Sequence, residues 1–116
     1  MSFDGFSSAA PPAVSQAPTV FFERPELNAI LSLYGRMVAA GEWKDYAIGA
    51  HHDSAVFAVF RRTSEAPLYR IEKRPSLARR QGAWSVSGPG GHILRRGHEL
   101  SQVLKVFDSG KFKVVE

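Results

Sequence analysis

The chain of 116 residues contains no cysteine. That excludes a disulfide framework, thiolate zinc ligands and cysteine nucleophiles, and it suits a reducing compartment, with the cytoplasm as the expected location. Charge is scarce at the start, where Asp4 is the sole charged residue before Glu23. A secretory leader opens with positive charge ahead of an apolar run, and transit peptides are rich in arginine, so no export or organelle signal is visible. Long hydrophobic runs are lacking as well. The longest uncharged stretch, Gly5 to Phe22, is interrupted by Pro11, Pro12 and Pro18, unlike a membrane span.

What is present is an ordinary globular composition, 44% hydrophobic and 22% charged, in a length that suits one compact core. Residues 1–18 are rich in Ala, Pro and Ser and cannot bury enough apolar surface to offset the entropy of ordering, so they are expected to form a disordered tail. Phe3 and Phe6 within it are assigned no role. Residues 19–116 are expected to form a single α+β domain.

Within that domain the β-branched and aromatic run Thr19 to Glu23 predicts a short strand ended by Pro25. Leu27, Ile30, Leu31, Tyr34 and Val38 then follow the spacing of one apolar helix face until Gly41. Gly35 inside this helix costs about 1 kcal/mol relative to Ala, which predicts close approach to a sheet there. Tyr46 and Ile48 alternate ahead of an Asp53-Ser54 turn, and the five apolar residues Val56 to Phe60 predict a central strand covered on both faces. In Leu68 to Lys73, Tyr69 and Ile71 oppose Arg70 and Glu72; in Ala83 to Ser87, Trp84 and Val86 oppose Ser85 and Ser87. Gly88-Pro89-Gly90-Gly91 matches a type II turn leading to a return strand at Ile93 and Leu94. Leu100, Val103, Leu104 and Phe107 restore helical spacing up to Ser109-Gly110, and Phe112 to Val115 reads as a closing edge strand. The sum is a mostly antiparallel sheet of about six strands with two helices packed on it.

The formal net charge of +4 conceals an asymmetry. From Arg61 to His98 there are eight Arg and one Lys against Glu65 and Glu72, whereas the remainder carries six basic and nine acidic residues. Arg61, Arg62, Arg70, Arg74, Arg79, Arg80, Arg95 and Arg96 offer planar forks suited to phosphate or carboxylate. If the strands bearing Arg61, Arg70 and Arg95 are neighbours, their side chains form a stripe, with Tyr69 or Trp84 beside it for base stacking. The competing reading is a solvated face partly paired with Glu65 and Glu72, and Tyr69 and Trp84 sit where core residues belong. Register decides between them.

Other constellations carry less. His51, His52, Asp53, His92 and His98 include metal-ligand types but lack the helical two-histidine spacing, and adjacent histidines on a strand point to opposite faces, so no metal or other cofactor is assigned. The Gly88 to Gly91 turn lacks the lysine and the strand-to-helix setting of a phosphate-cradling loop. Ser64, Glu65 and Ser101 have no histidine in a nucleophile setting, and Glu72 between Arg70 and Lys73 reads as a cross-strand ion-pair partner. No catalytic residue is assigned.

Three blocks, Leu31 to Ile48 (LSLYGRMVAAGEWKDYAI), Val59 to Val86 and Gly91 to Phe107 (GHILRRGHELSQVLKVF), resemble a family of small alphaproteobacterial proteins catalogued only as a domain of unknown function. The resemblance spans roughly residues 20–115 and implies a bacterial cytoplasmic protein. It transfers no activity, cofactor or functional residue. The expectation from the residues is therefore a non-enzymatic binding domain with an Arg-rich face for nucleic acid or another anionic partner. The alternative is a protein-interaction or regulatory module, for instance a homodimer formed through an exposed strand or the first helix.

Overall fold

Helix α1 (Arg24–Ala39) starts where Pro25 occupies the first turn without costing a helical hydrogen bond. The Glu26 carboxylate accepts the Glu23 backbone N–H at 2.7 Å and closes that turn. The structure, a computed structural model, describes residues 19–62 and 66–108; the expected N-terminal tail and the strand at Phe112 to Val115 lie outside them. After α1 come five strands, β1 (Asp45–Ala50), β2 (Ala55–Phe60), β3 (Tyr69–Lys73), β4 (Trp84–Ser87) and β5 (Ile93–Gly97). Helix α2 (Leu100–Leu104) follows and tightens into a 3-10 turn at Lys105–Asp108. The strands form one antiparallel sheet in chain order, a meander from β1 to β5.

Register explains the core. Ile48 faces Phe57, Phe57 faces Ile71 and Ile71 faces Val86, a row crossing four strands on one side of the sheet. Ile30 and Leu33 of α1, with Val103, Val106 and Phe107 from the C-terminal helical segment, pack on that side with Phe57, Val59, Ile71, Trp84 and Val86. Both described helices thus cover the same side. Full burial of a side chain of this size stabilises the fold by about 1.5–3 kcal/mol. β2 is interior, as its apolar run predicts, and five of its six residues are buried.

Three expectations are corrected. Among the described residues the sheet has five strands, and Thr19 to Glu23 is not one of them. That segment runs across the strand ends: Val20 N–H donates to His51 O at 2.8 Å, Lys73 Nζ donates to Phe21 O at 3.1 Å, and Phe22 stacks on Trp84 at 6.1 Å. Its apolar residues are spent on these single contacts rather than on a ladder. On α1 the expected Leu27, Ile30, Leu31 and Tyr34 do pack on the core, joined by Leu33 and Met37, but the expected Val38 is 40% exposed.

Gly35 is the third correction. It faces solvent, and a Cβ built on it meets nothing within 4 Å, so no close approach explains it. Gly35→Ala is therefore expected to raise stability by about 1 kcal/mol, the intrinsic helix preference of Ala over Gly. A urea-unfolding midpoint that falls instead would mean that the residue meets something in the folded protein.

Candidate anion-binding face

Strand alternation places Arg70 and Glu72 of β3, Ser85 and Ser87 of β4 and Arg96 of β5 on the side of the sheet opposite α1 and α2. Arg70 faces Ser87, and Ser85 sits between Glu72 and Arg96. Further across the same side, Arg70 faces Ala58, which faces Ala47, and Glu72 faces Val56, which faces Gly49. The side chains across from Arg70 and Glu72 on β2 and β1 are thus small, whereas the half-buried Phe60, two residues beyond Ala58, stands on the same face opposite Asp45. Arg70 is exposed and Arg96 half-buried, while Ser85 beneath them is 3% exposed. Strand spacing puts β3 and β5 about 10 Å apart.

Two acidic groups of this face, Asp53 and Glu72, are already paired. Arg74, immediately after β3, donates from Nη1 to Asp53 Oδ2 at 2.9 Å and from Nη2 to Glu72 Oε2 at 2.6 Å. The hydrogen bond from Arg74 holds the Asp53 carboxyl below its ordinary range, and the Asp53 and Glu72 carboxylates raise the Arg74 guanidinium in turn. Glu72 is an ion-pair partner as expected, but with Arg74 two residues along rather than across a strand. Arg70 and Arg96 have no ion-pair partner among the described residues.

The other arginines lie elsewhere. Arg95 is on the helix side, where it faces Val86 and donates from Nη1 to Gln102 O at 3.3 Å. Arg61, just past β2, lines a cavity on that same side. Arg62 is exposed beyond the end of β2, and Arg79 and Arg80 are exposed in the connection between β3 and β4. The stripe of Arg61, Arg70 and Arg95 does not form: β4 separates β3 from β5, and Arg70 points away from the other two. Arg70 with Arg96 is the pair that register brings onto one face. Ser85 and Ser87, the floor between them, match no functional motif, although their alternation with Trp84 and Val86 marks a polar face.

Neither Tyr69 nor Trp84, the expected stacking residues, reaches this face. Trp84 is 6% exposed on the helix side, with Lys73 Nζ 5.9 Å from its ring centre, and Tyr69 packs edge-on against Phe107 at 5.1 Å. The cavity that Arg61 lines is closed by Met37, Glu42, Trp43, Leu68, Tyr69 and Phe107 and has a volume of about 30 Å³, room for a water molecule rather than a substrate. Burial, followed by the nearby Glu42 carboxylate, raises the Tyr69 phenol there, with Arg61 opposing. Among the described residues no group of three or more His, Asp or Glu side chains is placed to hold a metal ion, and no helix is long and apolar enough to cross a membrane.

Fold and face together define an α+β domain built on an antiparallel meander, helices on one side and an arginine-bearing surface on the other. The chain belongs to the family described as "Protein of unknown function (DUF2794)", whose model matches residues 20–104. No curated protein and no solved structure matches it.

Proposed function

We propose that this chain is a binding domain whose sheet face opposite α1 and α2 engages a polyanion, nucleic acid being the partner best suited to it. The observation that carries the reading is the pair Arg70 and Arg96, on one face, flanking the serines of β4 and lacking ion-pair partners among the described residues. Guanidinium forks recognise phosphate oxygens bidentately, and serine hydroxyls add neutral donors. With Asp53 and Glu72 held by Arg74, these two carboxylates oppose an incoming phosphate less. A cytoplasmic setting, suited to a cysteine-free chain, would supply such a partner.

Fluorescence anisotropy of labelled single- and double-stranded oligonucleotides, from about 50 to 200 mM salt, tests this reading. Affinity is expected to fall steeply with salt. Arg70→Ala with Arg96→Ala should weaken binding at least ~10-fold and reduce the slope of log K against log salt by about 2, one unit for each phosphate that is no longer neutralised. Arg61→Ala with Arg95→Ala, on the opposite side, should leave most of the binding intact. Absence of binding at the lowest salt would sink the nucleic-acid reading.

A further inference from the structure

The two edges of the sheet are treated differently by the sequence. β5 carries Arg95 and Arg96 and its pairing with β4 is broken by a register shift at Val86/Ser87, both features that discourage a foreign strand. β1 has neither. Between Tyr46 and Ala50 there is no charged residue and no proline, pairing with β2 is regular over six residue pairs, and Tyr46 and Ile48 are 40% and 47% exposed. The His51 N–H donates inward to Ser54 O at 2.8 Å, so alternation directs the backbone N–H and C=O groups of Tyr46, Ile48 and Ala50 outward. The Tyr46 N–H is met by the neighbouring Asp45 Oδ1 at 2.8 Å. No hydrogen bond within the described residues covers the outward N–H of Ile48 or Ala50.

We infer that β1 is the interface of a two-fold symmetric dimer, in which a second copy of this chain pairs its own β1 antiparallel to the first. The outward groups are centred on Ile48, and the register that uses all of them puts Ile48 opposite Ile48 of the second copy and Tyr46 opposite its Ala50. Side chains then sort by face. Tyr46, Ile48 and Ala50 meet their counterparts on the helix side, covering apolar surface that the monomer leaves exposed. On the other face Ala47 meets Gly49, and Asp45 falls opposite His51 of the second copy. The His51 ring already lies along its own strand, 2.9 Å from where a Cβ on Gly49 would be, so it stands on that face. Asp45 exchanges the Tyr46 N–H for this imidazole while Tyr46 bonds across the interface. This self-complementarity selects a second copy over an unrelated strand. The product is a continuous ten-stranded sheet with both Arg70 and Arg96 pairs on one side, their β3 strands about 24 Å apart.

Sedimentation equilibrium of the full chain from about 1 μM to 1 mM tests the dimer without any ligand. The mean mass should rise from the chain's 12.8 kDa towards twice that value. Ile48→Lys, which sets two ammonium groups against each other, should hold the protein at the monomer mass. Ala50→Pro, which deletes an outward N–H and leaves the ladder to β2 intact, should do the same and serves if Ile48→Lys fails to fold. His51→Asp should weaken association at least ~10-fold, and adding Asp45→His should restore it by swapping the pair. A monomer throughout, a dimer indifferent to both Ile48→Lys and Ala50→Pro, or a charge swap that fails to restore association would overturn the proposal.

Discussion

Gly82→Ala is expected to cost on the order of 3–5 kcal/mol and to leave a large fraction of the chain unfolded in mild urea. Gly82 closes the connection between β3 and β4, and its backbone has φ +103°, outside what a side-chain-bearing residue adopts cheaply. A Cβ there would lie 2.1 Å from Gly97 O and 2.2 Å from Gly97 C, so β4 could not enter the sheet beside the end of β5 without moving backbone. Displacement would disturb the packing of α2 on β5 and the contact between His98 Nδ1 and Ala78 O at 3.1 Å. Gly90→Ala is the control. Gly90 has φ +85° in the turn closed by the Gly91 N–H on Gly88 O, but a Cβ there meets nothing within 4 Å, so only the conformational cost of about 1–2 kcal/mol applies. Equal losses in the two variants would show that the close approach of Gly82 to Gly97 is not a constraint on the fold.

Much of the sheet was legible because its strands obey a period of two and are punctuated by proline and glycine. Trp84 and Val86 face inward and Ser85 and Ser87 outward as their alternation predicts, and Tyr69, Arg70, Ile71 and Glu72 sort likewise. What misled was local propensity where tertiary contact decides. Val20, Phe21 and Phe22 have strand composition, yet their partners are His51, Lys73 and Trp84, at distances in the chain that no window covers. For α1 the apolar set Leu27, Ile30, Leu31, Leu33, Tyr34, Met37 and Val38 spans more than one face, so periodicity alone could not say that Val38 is left out. Gly35 has an intrinsic cost that can be read from sequence, but only packing reveals that nothing compensates it there.

The candidate site was legible in composition and not in geometry. Eight arginines in one stretch announce an anion-attracting half, but Arg61-Arg62 and Arg95-Arg96 are neighbours in pairs, and in an extended chain one member of each pair points to each side. Which member shares a face with Arg70 depends on how β5 registers against β4, including the shift between Val86 and Ser87. Sequence likewise could not tell that Arg74 is consumed by Asp53, which comes from the turn between β1 and β2.

Trp84→Ala should be the second severe loss, about 3–5 kcal/mol, and it separates the structural reading of this side chain from base stacking. Trp84 is 6% exposed at the start of β4 and joins two parts of the fold that are distant in sequence. Phe22 lies against its ring at an interplanar angle of 14°, and Lys73 sits over it while its Nζ reaches Glu26 Oε1 at 2.7 Å and Phe21 O at 3.1 Å. Removing the indole takes away buried area and also the surface against which Lys73 and the segment before α1 are ordered, so the Lys73 ion pair with Glu26 should weaken with it. Trp84→Phe keeps an aromatic face and should lose markedly less. Oligonucleotide affinity per folded molecule should be nearly unchanged in Trp84→Phe, because the ring points to the helix side and Arg70 and Arg96 do not. A Trp84→Ala protein with an unchanged urea midpoint and no oligonucleotide binding would reverse that assignment and put Trp84 in the binding face.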